Sequence, residues 1–283
     1  MTLLLRHASR ASKGARPYQE DTAAVWPELV GDQGTQKVVA VLADGMGGHV
    51  GGALASRMVC EALLESLIGG QKTVVLTSDP AKPQTPGSSD VTALIRRLAL
   101  GLEAANGSIA RKVDEKPGLN GMGATAVALH LENGQLLWIS VGDSPLYLYR
   151  AGDLVQINQD HSLAPEIDKL AEAGKISWDD AKNDARRHYL RSAVTGTQIE
   201  MIDVPEQPLK LAVGDVLVLA SDGIQTLERD EIARHIFACE TTRAPNSPTL
   251  ATRVADRLLQ AVDGAGHPHQ DNTTIVVVEV YGM

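Results

Sequence analysis

Acidic residues recur in this chain where apolar segments end or begin. Asp44 follows VVAVLA, Asp143 follows LLWISVG and Asp222 follows VLVLAS, and each of these runs is typical of a buried strand. Asp271 comes just before the last apolar segment, and Glu20-Asp21 comes just before TAAVW. A single Asp at a strand end is most often a turn residue. The repetition predicts instead that several strands deliver carboxylates to one edge of a sheet.

Carboxylates gathered at one edge repel one another, which raises their pKa unless a cation neutralises them. Hard divalent cations such as Mg²⁺ and Mn²⁺ prefer oxygen ligands. Two such ions lying close together can hold a water between them and ionise it. With 35 Asp and Glu against 26 Lys and Arg, the formal charge of -9 leaves carboxylates for this purpose. The same charge disfavours nucleic acid or an anionic membrane as the main partner.

The segment ADGMGGHVGG, residues 43–52, surrounds the first of these acids with five glycines. Gly45 can turn the chain sharply and, without a side chain, can present its own carbonyl to a metal. The later glycines are expected to let the chain pass close to ions or substrate before a helix begins. A glycine-rich turn is the simpler interpretation. A nucleotide loop is disfavoured, because the spacing gives neither G-x-G-x-x-G nor the lysine of a P-loop.

The elements that would position these residues are strands in clusters with helices between them. Apolar residues at helical spacing predict helices over 54–67 and 91–109. A stretch rich in Gly, Pro, Ser and Thr at 69–90 predicts a surface linker between those helices. The polar stretch at about 160–198 predicts a flap with a short helix. This order favours a layered α+β domain over a strictly alternating parallel sheet.

Composition is that of an ordinary globular protein, with 43% hydrophobic and 22% charged residues in 283. Cys60 and Cys239 lie in no C-x-x-C motif, which predicts two reduced, buried thiols. No apolar run approaches the ~18 residues that span a bilayer. The start of the chain has no signal-peptide core. A cytoplasmic protein is the expectation.

Seven segments resemble, in order, the motifs of the metal-dependent Ser/Thr protein phosphatases, the PPM or type 2C family, in its bacterial form. They are RPYQED, VLADGMGGHVGG, GMGATAVAL, VGDSPLYL, INQDHS, LASDG and QDNTTIVVV. The resemblance extends from about Leu4 to Val280. DGMGG alone is only suggestive, whereas the full ordered set is highly specific. It implies a single phosphatase catalytic domain over residues 1–283, with the linker at 69–90 and the flap at about 160–198.

The family resemblance implies a four-layer α-β-β-α sandwich, an α+β fold in which antiparallel helix pairs flank two antiparallel sheets. It places the metal site in a channel at the rim of the sandwich. One ion would be held by Asp44, Asp222 and Asp271. The other would be held by Glu20, Asp44 and the carbonyl of Gly45, so that Asp44 bridges the two ions. Mn²⁺ or Mg²⁺ is the implied cofactor.

Further site residues follow from the same resemblance. Bacterial members often bind a third ion, for which Asp143 and Asp222 would be ligands. Arg16, four residues before the acidic pair, would bind the substrate phosphate, a task that suits a guanidinium fork. Asp21 and Asn272 would support the metal ligands.

The implied function is Mn²⁺- or Mg²⁺-dependent hydrolysis of phosphoserine and phosphothreonine in proteins. A hydroxide bridging the metals would attack phosphorus in line. Such a signalling enzyme would oppose a bacterial Ser/Thr kinase, and it is expected to be a monomer with phosphoprotein substrates and neither nucleic acid nor membrane as a partner. Two alternatives stay open: a phosphoprotein-binding module without turnover, and a phosphatase for a small metabolite.

The chain departs from the family pattern at several positions. Met46 stands where eukaryotic relatives often carry a His proposed as general acid, which leaves the proton donor open, with a metal-bound water as one candidate. Pro145 replaces an Arg, which puts a second basic contact in doubt. Gln19 replaces an Asn, and Ala124 replaces a Thr in a change expected to affect only packing. None of these changes removes a predicted metal ligand, so an active enzyme is expected.

The histidines have less specific roles. His267 and His269 are expected in a solvent-exposed loop and not as zinc ligands. His161 is expected to hold the flap in place, and His49 to pack or hydrogen-bond near the site. The basic residues of the flap fit a solvated face and a phosphopeptide contact surface equally well.

Overall fold

The strands and helices come from a computed structural model that describes residues 3–29, 35–69, 88–241 and 247–282. The strands are β1 Leu3–Ser12, β2 Thr22–Leu29, β3 Thr35–Ala43, β4 Gly45–Met46, β5 Gly123–Ala124, β6 Ala126–Glu132, β7 Gln135–Val141, β8 Leu146–Arg150, β9 Asp153–Gln156, β10 Leu209–Lys210, β11 Val216–Ala220 and β12 Thr273–Gly282. The α-helices are α1 His49–Gly69, α2 Ser88–Glu115, α3 Ala164–Glu172, α4 Trp178–Lys182, α5 Arg229–Thr241 and α6 Leu250–Gly264.

Two five-stranded antiparallel sheets form the centre of the molecule. The first has the order β1-β12-β11-β8-β9, and the second has the order β10-β7-β6-β3-β2. Strands β4 and β5 form a separate short ribbon. Every strand pair is antiparallel. This arrangement confirms the α+β class and the two antiparallel sheets.

The uninterrupted apolar sequence of strand β3 is explained by the burial of both its faces. Successive side chains of a strand point to opposite faces. Val38 and Leu42 pack between the two sheets, whereas Val39 and Val41 pack under the first helices. Both faces of the strand are therefore buried, and the pattern reads as a continuous run instead of an alternating one.

Helices cover the outer face of each sheet. In α2, Leu98, Leu102, Ala105 and Ile109 recur at helical spacing and are buried against α1 and the second sheet. Helices α5 and α6 cover the first sheet in the same way. Each fully buried leucine stabilises the fold by about 1.5–3 kcal/mol relative to an exposed one. The result is the four-layer sandwich that was predicted.

The start of α1 corrects one expectation. The helix begins at His49, so Gly51 and Gly52 lie inside its first turn, and the prediction that the helix follows the glycines is wrong. A side chain at Gly52 would collide, since its Cβ would lie 2.6 Å from Glu20 Oε1, and one at Gly51 would be crowded, with its Cβ 3.0 Å from Met122 Cβ. Close packing here overrides the low helix propensity of glycine.

The predicted linker lies mostly in residues 70–87, which are outside the described residues. Its two ends, Gly69 and Ser88, belong to α1 and α2. The flap is more helical than the single short helix predicted, since it contains α3, α4 and a 3-10 turn at Ala185–His188. Both cysteines are free and buried, as expected. In the described part of the chain, no helix is both long and apolar enough to cross a membrane.

Candidate metal centre

The strands bring the predicted acids to one cavity. Asp44 follows β3 and Asp143 follows β7, both in the second sheet. Asp222 follows β11 and Asp271 precedes β12, both in the first sheet. The acids therefore meet where the rims of the two sheets face each other. The cavity has a volume of about 920 Å³, and its lining includes Arg16, Glu20, Asp44, Gly45, Asp143, Asp222, Asp271 and Asn272.

The backbone of Asp44 is fixed from a neighbouring segment. Its N–H donates to Thr125 Oγ1 at 2.9 Å, and its carbonyl accepts from the Thr125 N–H at 2.8 Å. Thr125 Oγ1 also lies 2.8 Å from Ser144 Oγ. The sequence had suggested only a packing role for the segment around Ala124. The structure instead places its threonine directly on the central acid, at the point where the register of β6 with β3 continues into the β4–β5 ribbon.

Gly45 is packed on both sides by backbone. A Cβ at this position would lie 2.3 Å from the carbonyl oxygen of Gly52 and 2.6 Å from that of Glu20. Real side chains do not tolerate such distances, and backbone atoms cannot rotate away. The glycine is thus required for the approach of Glu20 to the segment after Asp44.

Asn272 holds the loop that carries Arg16 and Glu20. Its Nδ2 donates to the carbonyl oxygens of Lys13 at 3.0 Å and Tyr18 at 2.9 Å. Its Oδ1 accepts from the Glu20 N–H at 2.7 Å. The side chain is buried, so these bonds are not exchanged with water and they rigidify the loop. They give a physical basis to the predicted supporting role.

Arg16 lies at the mouth of the cavity beside a predicted metal ligand. Its Nη2 donates to Asp271 Oδ2 at 2.5 Å, with both side chains partly exposed. The loop docks there through the Ala15 N–H, which donates to Gln270 O at 2.9 Å. Gly14 adopts a φ of +57°, and a Cβ there would lie 2.5 Å from Asp271 O. The guanidinium is therefore held next to the carboxylates while part of it faces solvent.

Burial, and then mutual repulsion, raise the pKa values of the acids. Burial, and then the charges of Asp222 and Asp21, raise the pKa of Asp44 well above its usual value. Burial and the charge of Asp271 raise the pKa of Asp222 to about 7. Burial and the charge of Asp222 likewise raise the pKa of Asp143 well above its usual value. Each of these groups favours a proton or a cation beside it.

Several carboxylate oxygens are left to accept a further partner. Glu20 Oε1, Asp21 Oδ1 and Asp222 Oδ1 are buried with no hydrogen-bond partner among the described residues. Asp21 Oδ2 accepts from Ser221 Oγ at 2.8 Å, while burial raises the pKa of this carboxyl. Buried polar atoms of this kind are costly unless they are satisfied. An all-oxygen set with unsatisfied acceptors fits hard divalent cations.

Among the described residues, no group of three or more Asp, Glu, His or Cys side chains is arranged closely enough to hold a metal ion. The fold gathers the predicted ligands around one cavity, and their binding of metal ions stays a prediction.

The pH dependence of stability is expected to show this repulsion in the chelated protein. Asp222 ionises near 3.8 when unfolded and at about 7 when folded. Between these values the folded chain binds more protons than the unfolded chain, so the free energy of unfolding falls as pH rises through this window. Urea unfolding across the window, in EDTA, measures the slope. Asp222→Asn should flatten it, and an equal slope in both proteins would contradict the assignment.

The other residues singled out in the sequence lie in different places. Met46 lines the cavity, whereas Pro145 is buried and its carbonyl accepts from the Ala220 N–H at 3.1 Å. His267 and His269 lie in an exposed loop, as expected. The side chain of His49 lies outside what the structure describes.

The flap supplies the opposite wall of the cavity. Residues 188–193 together with Thr195, Thr197, Gln198 and Glu200 face the acids. Of the basic flap residues, His188 and Arg191 belong to this wall, and Arg191 pairs with Glu166 at 2.7 Å. Two of the basic flap residues thus line the cavity, and both interpretations of the flap, a solvated face and a phosphopeptide contact surface, stay predictions. The stretch after the flap's helices could not be singled out from its composition.

Fold and cavity together define a class, the four-layer α-β-β-α proteins with a carboxylate-lined cavity at the sandwich rim. Comparison with known proteins then gives the family. The model of the Protein phosphatase 2C family matches residues 19–260, so this chain belongs to that family. The family predicted from the ordered motifs is confirmed.

Two curated relatives show how far the similarity extends. The serine/threonine protein phosphatase PstP of Mycobacterium tuberculosis is 31% identical over 282 residues. That match covers 99% of this chain but only 46% of the relative, so the chain spans about half its length. The serine/threonine phosphatase stp of Listeria monocytogenes is 27% identical over 267 residues, covering 93% of this chain and 91% of the relative. The similarity is thus to bacterial members.

A solved structure supports both the fold and the type of site. The catalytic domain of the serine/threonine protein phosphatase PstP, in complex with two manganese ions, aligns with a TM-score of 0.68. The identity is 29%, and the alignment covers 99% of this chain and 100% of the other. The four-layer fold is confirmed, and a manganese-binding relative shares it.

Proposed function

We propose that this chain is a metal-dependent protein-serine/threonine phosphatase that releases phosphate from phosphoserine and phosphothreonine residues. The observation that carries the proposal is the convergence of the acids and Arg16 on one cavity. Relatives over nearly the whole chain are named serine/threonine phosphatases. Intact acids at every predicted ligand position favour turnover over a binding module without activity.

The ligand assignments are part of the proposal. Asp44, Asp222 and Asp271 would hold one ion, while Glu20, Asp44 and the carbonyl of Gly45 would hold another. Manganese is supported by the manganese-bound relative, and the oxygen donors suit Mg²⁺ equally. When bound, such ions supply positive charge to phosphate oxygens and lower the pKa of water.

The chain's own residues bind and orient the substrate. Arg16 donates its guanidinium fork to the phosphate from the mouth of the cavity. Asn272 keeps the loop of Arg16 in register with Glu20, which fixes the distance between the phosphate and the acids. The thioether of Met46 has no proton to give, so the departing serine or threonine oxygen needs another proton donor, for which a metal-bound water is one candidate.

Chelation is expected to abolish phosphate release. Without a cation the acids repel the substrate's phosphate, so activity on p-nitrophenyl phosphate and on a phosphothreonine peptide should vanish in EDTA. Added Mn²⁺ or Mg²⁺ should restore it. Release measured by a phosphate-sensitive dye checks both. Full activity after exhaustive chelation would refute the proposal, and a far higher kcat/KM on a small metabolite would favour that substrate class instead.

Replacement of Asp143 is expected to slow the enzyme without unfolding it. Asp143 and Asp222 would hold a third ion, so Asp143→Asn should raise the Mn²⁺ concentration needed for half-maximal rate by about tenfold or more. Its thermal midpoint in EDTA should not fall, because a repelling buried charge is removed. Rate against Mn²⁺ concentration is the measurement. An unchanged Mn²⁺ requirement would remove Asp143 from the ligand set.

The cellular role follows from this chemistry. A phosphoprotein phosphatase opposes a Ser/Thr kinase, and we propose that a kinase pathway of the same bacterium supplies the substrates. We also propose that residues 1–283 form a single catalytic domain, acting as a monomer in the cytoplasm. Dephosphorylation of an autophosphorylated kinase by the purified chain, followed by gel shift, tests the opposition directly.

A further inference from the structure

A buried histidine at the base of the flap bonds to the turn that carries Asp143. The side chain of His161 has no solvent exposure. Its backbone N–H donates to Gly142 O at 3.0 Å, and its Nδ1 accepts from the Gly142 N–H at 3.2 Å. A backbone N–H can only donate, so Nδ1 carries no proton. The imidazole thus has a defined role as an acceptor, which the proposed reaction does not use.

The same residue closes the base of the flap. His161 O accepts from the Arg191 N–H at 2.8 Å, and the Leu163 N–H donates to Tyr189 O at 3.0 Å. These bonds join the start of the flap to the segment around 189–191. Tyr189 and Arg191 both line the acidic cavity. His161 is therefore bonded to the flap wall on one side and to the turn before Asp143 on the other.

The contacts continue from this turn to the central acid. Gly142 adopts a φ of +103°, and a Cβ there would lie 2.6 Å from Thr125 Cγ2. Thr125 in turn exchanges two hydrogen bonds with the backbone of Asp44. Thr125 and Ser144 are buried with His161. Close-packed interiors transmit displacement, and buried hydrogen bonds have no water to replace them.

We propose that His161 is a positioning residue that couples the flap to the acidic cavity. Through Gly142 and Thr125 it holds the flap wall, Asp143 and Asp44 in one arrangement. The inference rests on the proposed function, because it concerns the regulation of the same site. Coupling between two sites is reciprocal, so cation binding at the acids must order the flap, and loosening the flap's base must weaken cation binding.

Two variants of similar size separate this role from simple packing. His161→Asn places an amide oxygen near the position of Nδ1 and can still accept from Gly142. His161→Leu fills the space without an acceptor and leaves the Gly142 N–H buried and unpaired, which is destabilising. Mn²⁺ binding is measured by calorimetry, and flap order by the rate of tryptic cleavage at the exposed Lys175.

His161→Leu is expected to weaken Mn²⁺ binding by about tenfold, as for other residues that orient metal ligands, and to accelerate cleavage at Lys175. His161→Asn is expected to stay close to the wild-type protein in both measurements. Faster cleavage in His161→Leu with unchanged Mn²⁺ binding would overturn the coupling. Equal behaviour of the Asn and Leu variants would overturn the role of the acceptor.

The wild-type chain offers a measurement that depends on no variant. Saturating Mn²⁺ should slow cleavage at Lys175 by more than it slows cleavage at Arg257 of α6, which serves as the internal control. Equal protection at both sites, or no Mn²⁺ binding at all, would overturn the inference. Turnover of p-nitrophenyl phosphate is recorded in parallel. A chain that shows the protection without turnover would refute the proposed function while supporting the coupling.

Discussion

Asp44→Asn is expected to abolish metal-dependent phosphate release, with a loss of at least about a thousandfold in kcat/KM. The substitution keeps the shape of the side chain but removes the charge that both proposed ions would share. It should also raise the thermal midpoint in EDTA. The reason is that burial and the charges of neighbouring acids raise the pKa of Asp44 in the folded chain, so the neutral amide relieves that repulsion. Steady-state kinetics with Mn²⁺ and thermal unfolding in EDTA measure the two effects.

The opposite signs of these effects make the variant informative. A variant that only damaged the fold would lose both activity and stability. Asp153→Asn is the matched control, since Asp153 is exposed at the start of β9, and it should change neither quantity. Asp44→Asn with more than a tenth of wild-type activity would contradict a bridging role.

Gly45→Ala is expected to disrupt both the fold and the site. The new Cβ would meet the carbonyl oxygens of Gly52 at 2.3 Å and Glu20 at 2.6 Å. Backbone on both sides must shift, which should cost about 3 kcal/mol or more of unfolding free energy. Because Glu20 moves with its backbone, Mn²⁺-dependent activity should be lost as well. Urea unfolding and kinetics in Mn²⁺ are the measurements.

Gly48→Ala in the same loop provides the comparison. A Cβ at Gly48 meets nothing within 4 Å, although its φ of +77° is unfavourable for alanine. The expected cost is about 1–2 kcal/mol from backbone conformation alone, and activity should persist. If the two variants were equally stable and active, the close approach at Gly45 would not be what positions Glu20.

The general position of the site could be predicted from the sequence because the signal is local. An apolar run that ends in Asp appears for Asp44, Asp143 and Asp222, and a strand start marks Asp271. Antiparallel sheets stacked face to face bring strand ends to a shared rim. The cavity that contains all four acids agrees with that expectation. Their assignment to particular ions remains a prediction.

What the sequence could not show depends on contacts between distant segments. Thr125 lies opposite Asp44, 81 positions earlier in the chain, because the antiparallel register of β6 with β3 continues into the pairing of β5 with β4, and neither two-residue strand of that ribbon has a detectable period. Asn272 bonds to a loop more than 250 residues earlier. The early start of α1 was missed for the same reason. Glycine propensity is a local quantity, whereas the packing of Gly52 against Glu20 is tertiary.

The flap shows a second kind of limit. Its composition is polar and its helices are short, so neither periodicity nor charge identifies which residues face the acids. The cavity wall comes instead from 188–200, which is tied to β5 by the pairing of Val194 with Ala124. Recognition of a phosphopeptide would therefore depend on backbone pairing that carries no sequence pattern.

The most direct test is to locate Mn²⁺ by anomalous diffraction from crystals grown with the metal. Two anomalous peaks should lie in the acidic cavity, one on each side of the Asp44 carboxylate, with the Gly45 carbonyl facing one of them. Crystals of Asp44→Asn should lose at least one peak under the same conditions. Peaks remote from Asp44, or an unchanged pair of peaks in the variant, would contradict the assignment of Asp44 as the bridging ligand.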